Sequence, residues 1–207
     1  VLDPERIQPV MTLHDGRPYE RIPNGRLLAP HTLDIEREIV EVRYGLARQY
    51  ASDNRLNEVT VDPADAWIGI AASGITYREI REALGRLGLR SDADIAAAGI
   101  RLLKMRMPIP FDPATVRNFA RGLETLVVVE EKQPNLETLI KDALYGIPGC
   151  PQVIGKFDTF GDRLLPAWGS LDADIVTPVL RSQLEARLGD RLAPAPTKRE
   201  RVMIPVA

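Results

Sequence analysis

From Asp34 to about Asp53, apolar side chains recur every three or four positions, at Ile35, Ile39, Val42, Leu46 and Tyr50, with Glu36, Arg37, Glu38, Glu41 and Arg48 between them. That period predicts one amphipathic helix, capped by Thr32 or Asp34. From Trp67 onward, short apolar runs alternate with helix-period segments, the signature of βαβ units and of a mostly parallel sheet covered on both faces. Residues 67–72 form the first run. Ser73-Gly74 turns the chain, Thr76 and Glu79 have capping-box spacing, and Ile80, Ala83, Leu84 and Leu87 make a buried stripe that Gly88 ends. Residues 91–98 fit a short helix, after which Ile100, Leu102, Leu103, Met105 and Met107 give a second strand that stops at Pro108 and Pro110. Asp112 caps and Pro113 opens a helix buried through Val116, Phe119, Ala120 and Leu123, with Gly122 near its end. Thr125-Leu126-Val127-Val128-Val129 is apolar on both faces of a strand, which makes it central. Asn135 can cap the next helix, whose Leu136, Leu139, Ile140, Ala143 and Leu144 face inward until Gly146, and Val153-Ile154 is a short fourth parallel strand. A last helix lies between Asp172 and Leu188. It opens either at Asp172, with Pro178 as a kink, or after Thr177, with Pro178 in its first turn. Residues 58–61 can add an edge strand.

This pattern divides the chain in three. Residues 1–33 are a loop-rich lead-in arm, with Pro4, Pro9, Pro18, Pro23 and Pro30 and turns at Asp15-Gly16 and Asn24-Gly25. Residues 34–188 are an α/β domain, three layers α/β/α around a mostly parallel sheet of about five strands. Residues 189–207 are a Pro-rich tether. A chain of 207 residues holds one core with attachments. Because 27 Lys and Arg face 29 Asp and Glu, no broad positive field exists for nucleic acid. No apolar run approaches the about 20 residues that span a bilayer, so no membrane partner is expected either. Cys150 has no second cysteine to pair with, and with His14 and His31 alone the soft ligands are too few for zinc or an iron–sulfur cluster. A reducing, cytoplasmic compartment fits that content. The opening at Val1 and the close on Pro205, Val206 and Ala207 predict a segment cut from a longer polypeptide.

A doubly wound sheet places its ligands beyond the carboxyl ends of its strands, so the loops after Ala72, Met107, Val129 and Ile154 are where chemistry is sought. Ser73-Gly74 offers one glycine where a dinucleotide fingerprint needs three, and Ser73 lacks the flanking glycines of a nucleophile elbow. A turn is the simpler reading. The stretch from Gly149 to Lys156 misses phosphate-loop spacing by one residue and puts Phe157 where a magnesium-binding hydroxyl belongs. Glu130, Glu131 and Lys132 end the central strand, but adjacent strand residues point to opposite sides, so salt bridging or contact with a neighbouring domain is preferred to acid–base work. Cys150 sits in a Pro-Gly-Cys-Pro turn with no histidine in its segment, which reads as an inert thiol. No catalytic, cofactor or metal residue is assigned. Ser73, Gly74, Glu130, Glu131 and Lys132 stand as candidates for interdomain contact, with an independent nucleotide- or CoA-binding module at the same loops as the alternative.

Five blocks, in order, resemble a known family. They are Asn54-Arg55-Leu56-Asn57, residues 67–77, Arg101-Leu102-Leu103-Lys104-Met105 with Pro108-Ile109-Pro110, residues 126–132, and Val153-Ile154-Gly155-Lys156-Phe157-Asp158. Together they look like the central region of the large fused indolepyruvate ferredoxin oxidoreductases, over most of residues 34–188. The resemblance implies a fold like the transketolase C-terminal domain. It also implies a parent enzyme that converts an aryl 2-oxoacid to acyl-CoA with thiamine diphosphate, magnesium, coenzyme A and iron–sulfur clusters, passing electrons to ferredoxin. The family's cluster cysteines, thiamine-binding segment and catalytic glutamate match no position of this chain. The implied partners are therefore sister domains of the same parent chain, with a homodimer as a further possibility, and the implied role is a non-catalytic scaffold.

Overall fold

The computed structural model describes residues 11–194 and gives five strands, β1 (Asn57–Val61), β2 (Ile68–Ser73), β3 (Ile100–Met105), β4 (Thr125–Val129) and β5 (Gln152–Ile154). Their order across the sheet is β1-β3-β2-β4-β5. β2, β3, β4 and β5 run parallel, and β1 closes the edge antiparallel to β3, with a bulge between Val59 and Val61. The helices are α1 (His31–Glu38), α2 (Tyr44–Asp53), α3 (Ile75–Arg86), α4 (Asp92–Ala97), α5 (Pro113–Ala120), α6 (Asn135–Leu144) and α7 (Ala173–Leu188).

Side-chain alternation in the strands builds two cores. On one face Ile70, Leu102, Val127 and Val129 meet α3, α4 and α7 through Ile80, Leu84, Ile95, Val176 and Leu180. On the other, Ala71, Leu103, Leu126 and Val128 meet α5 and α6 through Phe119, Leu136 and Ile140. β4 contributes to both cores, as its unbroken apolar run requires. Helix α5 lies so close on β2 that a Cβ at Gly69 would stand 2.4 Å from Leu123 Cδ1 and 2.9 Å from the Phe119 ring.

Several expected helix starts are different in the structure. α1 begins after Pro30 with no side-chain cap, so neither Thr32 nor Asp34 serves that purpose. A π-helical turn (Ile39–Arg43) joins α1 to α2, and within this path Leu46 and Ala51 are the buried residues. Thr76 does not cap α3. Gly74 holds that position, and Thr76 lies in the first turn with its hydroxyl donating to the Ser73 carbonyl. The capping box is instead at α4, where Ser91 Oγ accepts from the Asp94 amide at 3.1 Å and the Asp94 carboxylate accepts from the Ser91 amide at 2.8 Å. Asn135 is the first residue of α6, behind Pro134, and not its cap.

For α7 the structure selects the earlier start, with the Asp172 carboxylate accepting from the Ile175 amide at 3.0 Å. Pro178 therefore lies inside the helix and has no amide hydrogen for the Asp174 carbonyl. Pro178→Ala is expected to raise stability by about 1–2 kcal/mol, less than the full helix-interior penalty because proline also restricts the unfolded chain. A thermal melt checks this as a higher midpoint.

At the chain's ends, residues 11–30 hold no helix or strand apart from a single Thr12–Pro18 bridge. Leu192 is buried, and Ala193 donates its amide to the Leu87 carbonyl at 2.8 Å, so the first residues of the expected tether pack on the end of α3. Residues 1–10 of the arm and 195–207 of the tether lie outside the described residues.

Candidate functional site

β2 and β4 are neighbours, with Ala72 opposite Val129, so Ser73-Gly74 and Glu130-Glu131-Lys132 leave the sheet side by side. The chain passes from β2 to β3 on one side and returns across β2 to β4 on the other, so strand order reverses between these two loops. The sequence candidates thus meet at one place, and three of them, Glu130, Glu131 and Lys132, bond main-chain atoms of neighbouring segments. Gly74 is exposed with φ +60° and caps α3, and Ser73 is half-buried. The Glu130 carboxylate folds down onto α6, accepting the Leu136 and Glu137 amides at 2.9 Å each, and does the capping expected of Asn135. Glu131 Oε1 accepts the Leu171 amide at 2.9 Å. Lys132, in the left-handed region at φ +56°, donates its ammonium to the Gly169 carbonyl. The two carboxylates serve different elements and do not converge on a common proton.

Beneath these loops lies a buried polar cluster that the sequence reading missed. Lys156 is 2% exposed, and its ammonium donates to the Glu130 carbonyl and, at 2.9 Å, to the Pro166 carbonyl. Glu137, 4% exposed, accepts the Lys156 amide at 2.9 Å and the Lys141 ammonium at 2.6 Å. Burial pushes the Lys156 ammonium below its ordinary value, while the carboxylates of Glu130, Glu137 and Glu131 act the other way. Glu130, Glu131, Lys132 and Lys156 together tie the β5–α7 connection, residues 155–171, to the end of β4.

That connection presents a set of side chains to solvent. Phe157 pairs with Arg163 across a short antiparallel bridge, and Asp158 Oδ1 holds the turn by accepting the Phe160 and Asp162 amides at 2.9 and 2.8 Å. The Arg163 guanidinium lies 4.7 Å from the centre of the Phe157 ring and 5.6 Å from that of Trp168. Phe157 is 42% exposed, Trp168 67% and Phe160, at the tip, 91%. A sequence signal existed: two of the four Phe and one of the two Trp fall within residues 157–168, a stretch with neither helix nor strand period.

A second concavity, of about 650 Å³, lies between the arm and the N-terminal helical path, lined by Met11, Tyr19, Arg21, Ile39, Arg43 and Tyr44 among others. Tyr19 donates its hydroxyl to Glu38, which raises the phenol above its ordinary value. Cys150 and His14 are exposed. Among the described residues no three His, Cys, Asp or Glu side chains converge as a metal would need, and no helix is long and apolar enough to cross a membrane. The Glu130 and Glu131 carboxylates are occupied by backbone amides and so do not fit a magnesium diphosphate, and a single cysteine does not fit an iron–sulfur cluster.

The strand order, the antiparallel edge and the helices on both faces define a three-layer α/β/α domain with its loops of interest at the strand-order reversal. The chain belongs to the indolepyruvate oxidoreductase domain family, whose model matches residues 58–200. It is 34% identical over 79 residues to the indolepyruvate oxidoreductase subunit IorA of Pyrococcus horikoshii, covering 38% of this chain and 11% of that protein. It is 31% identical over 133 residues to the subunit of the same name from Methanothermobacter marburgensis, covering 64% of this chain and 19% of that one. The chain thus spans about a fifth or less of the length of these relatives. Among solved structures it is similar to the 2-oxoglutarate:ferredoxin oxidoreductase of Magnetococcus marinus, with 14% identity, a TM-score of 0.46, and coverage of 84% of this chain and 26% of that one. It is also similar to a split-gene transketolase described as an inactive β4 tetramer, with 20% identity, a TM-score of 0.43, and coverage of 62% and 42%.

Proposed function

We propose that this domain is a non-catalytic docking layer of a thiamine-diphosphate-dependent indolepyruvate:ferredoxin oxidoreductase of the cytoplasm, packing against sister domains and keeping the thiamine-binding parts in register. One observation carries the reading. The large apolar side chains left exposed among the described residues, Tyr145 excepted, gather on two neighbouring regions. One is the arm with the helical path behind it, through Leu27, Leu28 and Leu33. The other is the set of loops at the carboxyl end of the sheet, through Ile75, Ile109 and Phe160. Pro110, just past β3, lines the groove under the arm and so links the two. Surfaces of this kind mark contacts with other protein. The oxidative decarboxylation of an aryl 2-oxoacid to acyl-CoA, with ferredoxin as electron acceptor, falls to polypeptide beyond these residues. The domain contributes position, on which a catalytic geometry assembled from several domains depends steeply.

Calorimetric titration of the folded 207-residue chain with thiamine diphosphate and magnesium is expected to show no heat of binding, and the chain is expected not to turn over indolepyruvate with coenzyme A and an electron acceptor. Tight binding or unaided turnover would overturn the proposal. The neighbouring position of Ser73-Gly74 and Lys132 at the strand-order reversal favours the second reading, a nucleotide- or CoA-binding module. Under that reading, coenzyme A or ATP at 100 times its dissociation constant adds about 2.7 kcal/mol of stability, and an unmoved melting midpoint dismisses it.

A further inference from the structure

We infer that the hairpin formed by Phe157, Phe160, Arg163 and Trp168 is the energetic centre of that docking surface, and that it seats an acidic loop of another domain of the same parent polypeptide. The inference rests on the docking reading above and gives it a location and a partner chemistry.

Three observations combine. First, the presentation is rigid. Lys156 ties the base of the hairpin to the end of β4, Glu131 and Lys132 tie Leu171 and Gly169 beyond Trp168, and Asp158 closes the turn. A loop whose main chain is held this way loses little freedom on binding, which suits the aromatic residues it presents to carry an interface. Second, the Arg163 guanidinium makes cation–π contacts with two rings, and no carboxylate of the described residues lies within ion-pair distance of it. Ring contacts use none of the guanidinium N–H donors as conventional hydrogen bonds, so they are left for whatever covers the hairpin, and their complement is a carboxylate. Third, the relatives are five to nine times longer than the part of them matched here, so sister polypeptide is the most abundant surface such a domain meets.

The test uses the full-length parent oxidoreductase with Phe160→p-benzoylphenylalanine, irradiated and mapped by mass spectrometry, with isotopically light and heavy chains mixed to separate contacts within a chain from contacts between copies. The expected result is a crosslink within one chain to a peptide outside residues 11–194 that contains Asp or Glu. Arg163→Gln in the same background should cut its yield about tenfold, and Arg163→Lys should not restore it, because an ammonium lacks the planar faces that stack. Phe160→Ser should leave the melting temperature unchanged, since the side chain is almost wholly exposed. Crosslinks only between copies, only to ferredoxin, or not at all overturn the inference. The same probe at Leu27 and Ile109 separates the two levels. Crosslinks to sister domains there but not from Phe160 leave the docking reading standing and remove this one, whereas none at any of the three sites removes both.

Discussion

Replacing Lys156 by methionine is expected to destabilise the domain by about 3–4 kcal/mol and to free residues 157–168 before the sheet unfolds. Methionine fills much of the same volume, so the loss isolates the ammonium. Without it the Glu130 and Pro166 carbonyls lose a charged donor in a place that solvent scarcely reaches, while Glu137 keeps its ion pair with Lys141. Each buried acceptor left without a partner costs about 1–3 kcal/mol, and two are left here. Urea denaturation followed by circular dichroism gives the total, and hydrogen exchange at Leu164 and Leu165, whose amides bond the Lys156 carbonyl at 2.9 and 3.3 Å, reports the loop. A loss below about 1 kcal/mol would show that water replaces the ammonium without penalty. The pH dependence has a definite sign. Burial holds the folded-state Lys156 below its ordinary value of 10.5, so above the folded value the unfolded chain binds more protons than the folded one. Stability from this group therefore rises with pH from the folded value up to about 10.5. The gap between the wild type and Lys156→Met should widen over that window and stay constant at lower pH.

The sheet was legible because its signals are local. Residues 125–129 carry five strand-type side chains in a row, Ile80, Ala83, Leu84 and Leu87 keep one helical face, and Gly88 and Gly146 stop helices at positive φ where glycine is favoured. The short edge strand expected at residues 58–61 was legible for the same reason and spans 57–61. What failed were features whose partner is distant or is backbone. Asn135 looked like a cap because it is the right residue type beside the right stripe, but the α6 amides are taken by Glu130, five residues earlier on the other side of a turn. The ties from Glu131 to the Leu171 amide and from Lys132 to the Gly169 carbonyl span about forty residues and end on main-chain atoms, which no side-chain pattern announces. For that reason the sequence offers Glu130, Glu131 and Lys132 only as salt-bridging or interdomain-contact residues, and does not announce that their side chains hold main-chain atoms of α6 and of the β5–α7 connection. The identity of Lys156 carried no hint of its burial, since lysine is among the residues least often enclosed.

The second large effect is expected at Gly155, where alanine should cost about 2–4 kcal/mol although the position needs no unusual backbone angle. Space decides it. A Cβ there would lie 2.3 Å from Glu137 Oε2, 2.6 Å from Glu137 Cδ and 3.1 Å from the Val128 carbonyl oxygen. The carboxylate is the movable one of these, but it is the acceptor for the Lys156 amide and the Lys141 ammonium, so displacing it breaks both and strands a charge that is 4% exposed. Unfolding by urea measures the loss, and a double-mutant cycle identifies its cause. In a Glu137→Ala background the obstructing oxygen is gone, and Gly155→Ala should then cost less than about 1 kcal/mol, a coupling of the size found between residues in direct contact. If the two losses simply add, the obstruction lies with the Val128 carbonyl and the carboxylate is not what fixes glycine at this position. The cycle also bears on docking. Lys156 is the hinge between β5 and the aromatic hairpin, so a displaced Glu137 carboxylate loosens the Lys156 amide and misplaces Phe160, which neither substitution touches. Gly155→Ala in the full-length oxidoreductase should accordingly weaken the Phe160 crosslink, and Glu137→Ala/Gly155→Ala should not weaken it further than Glu137→Ala alone.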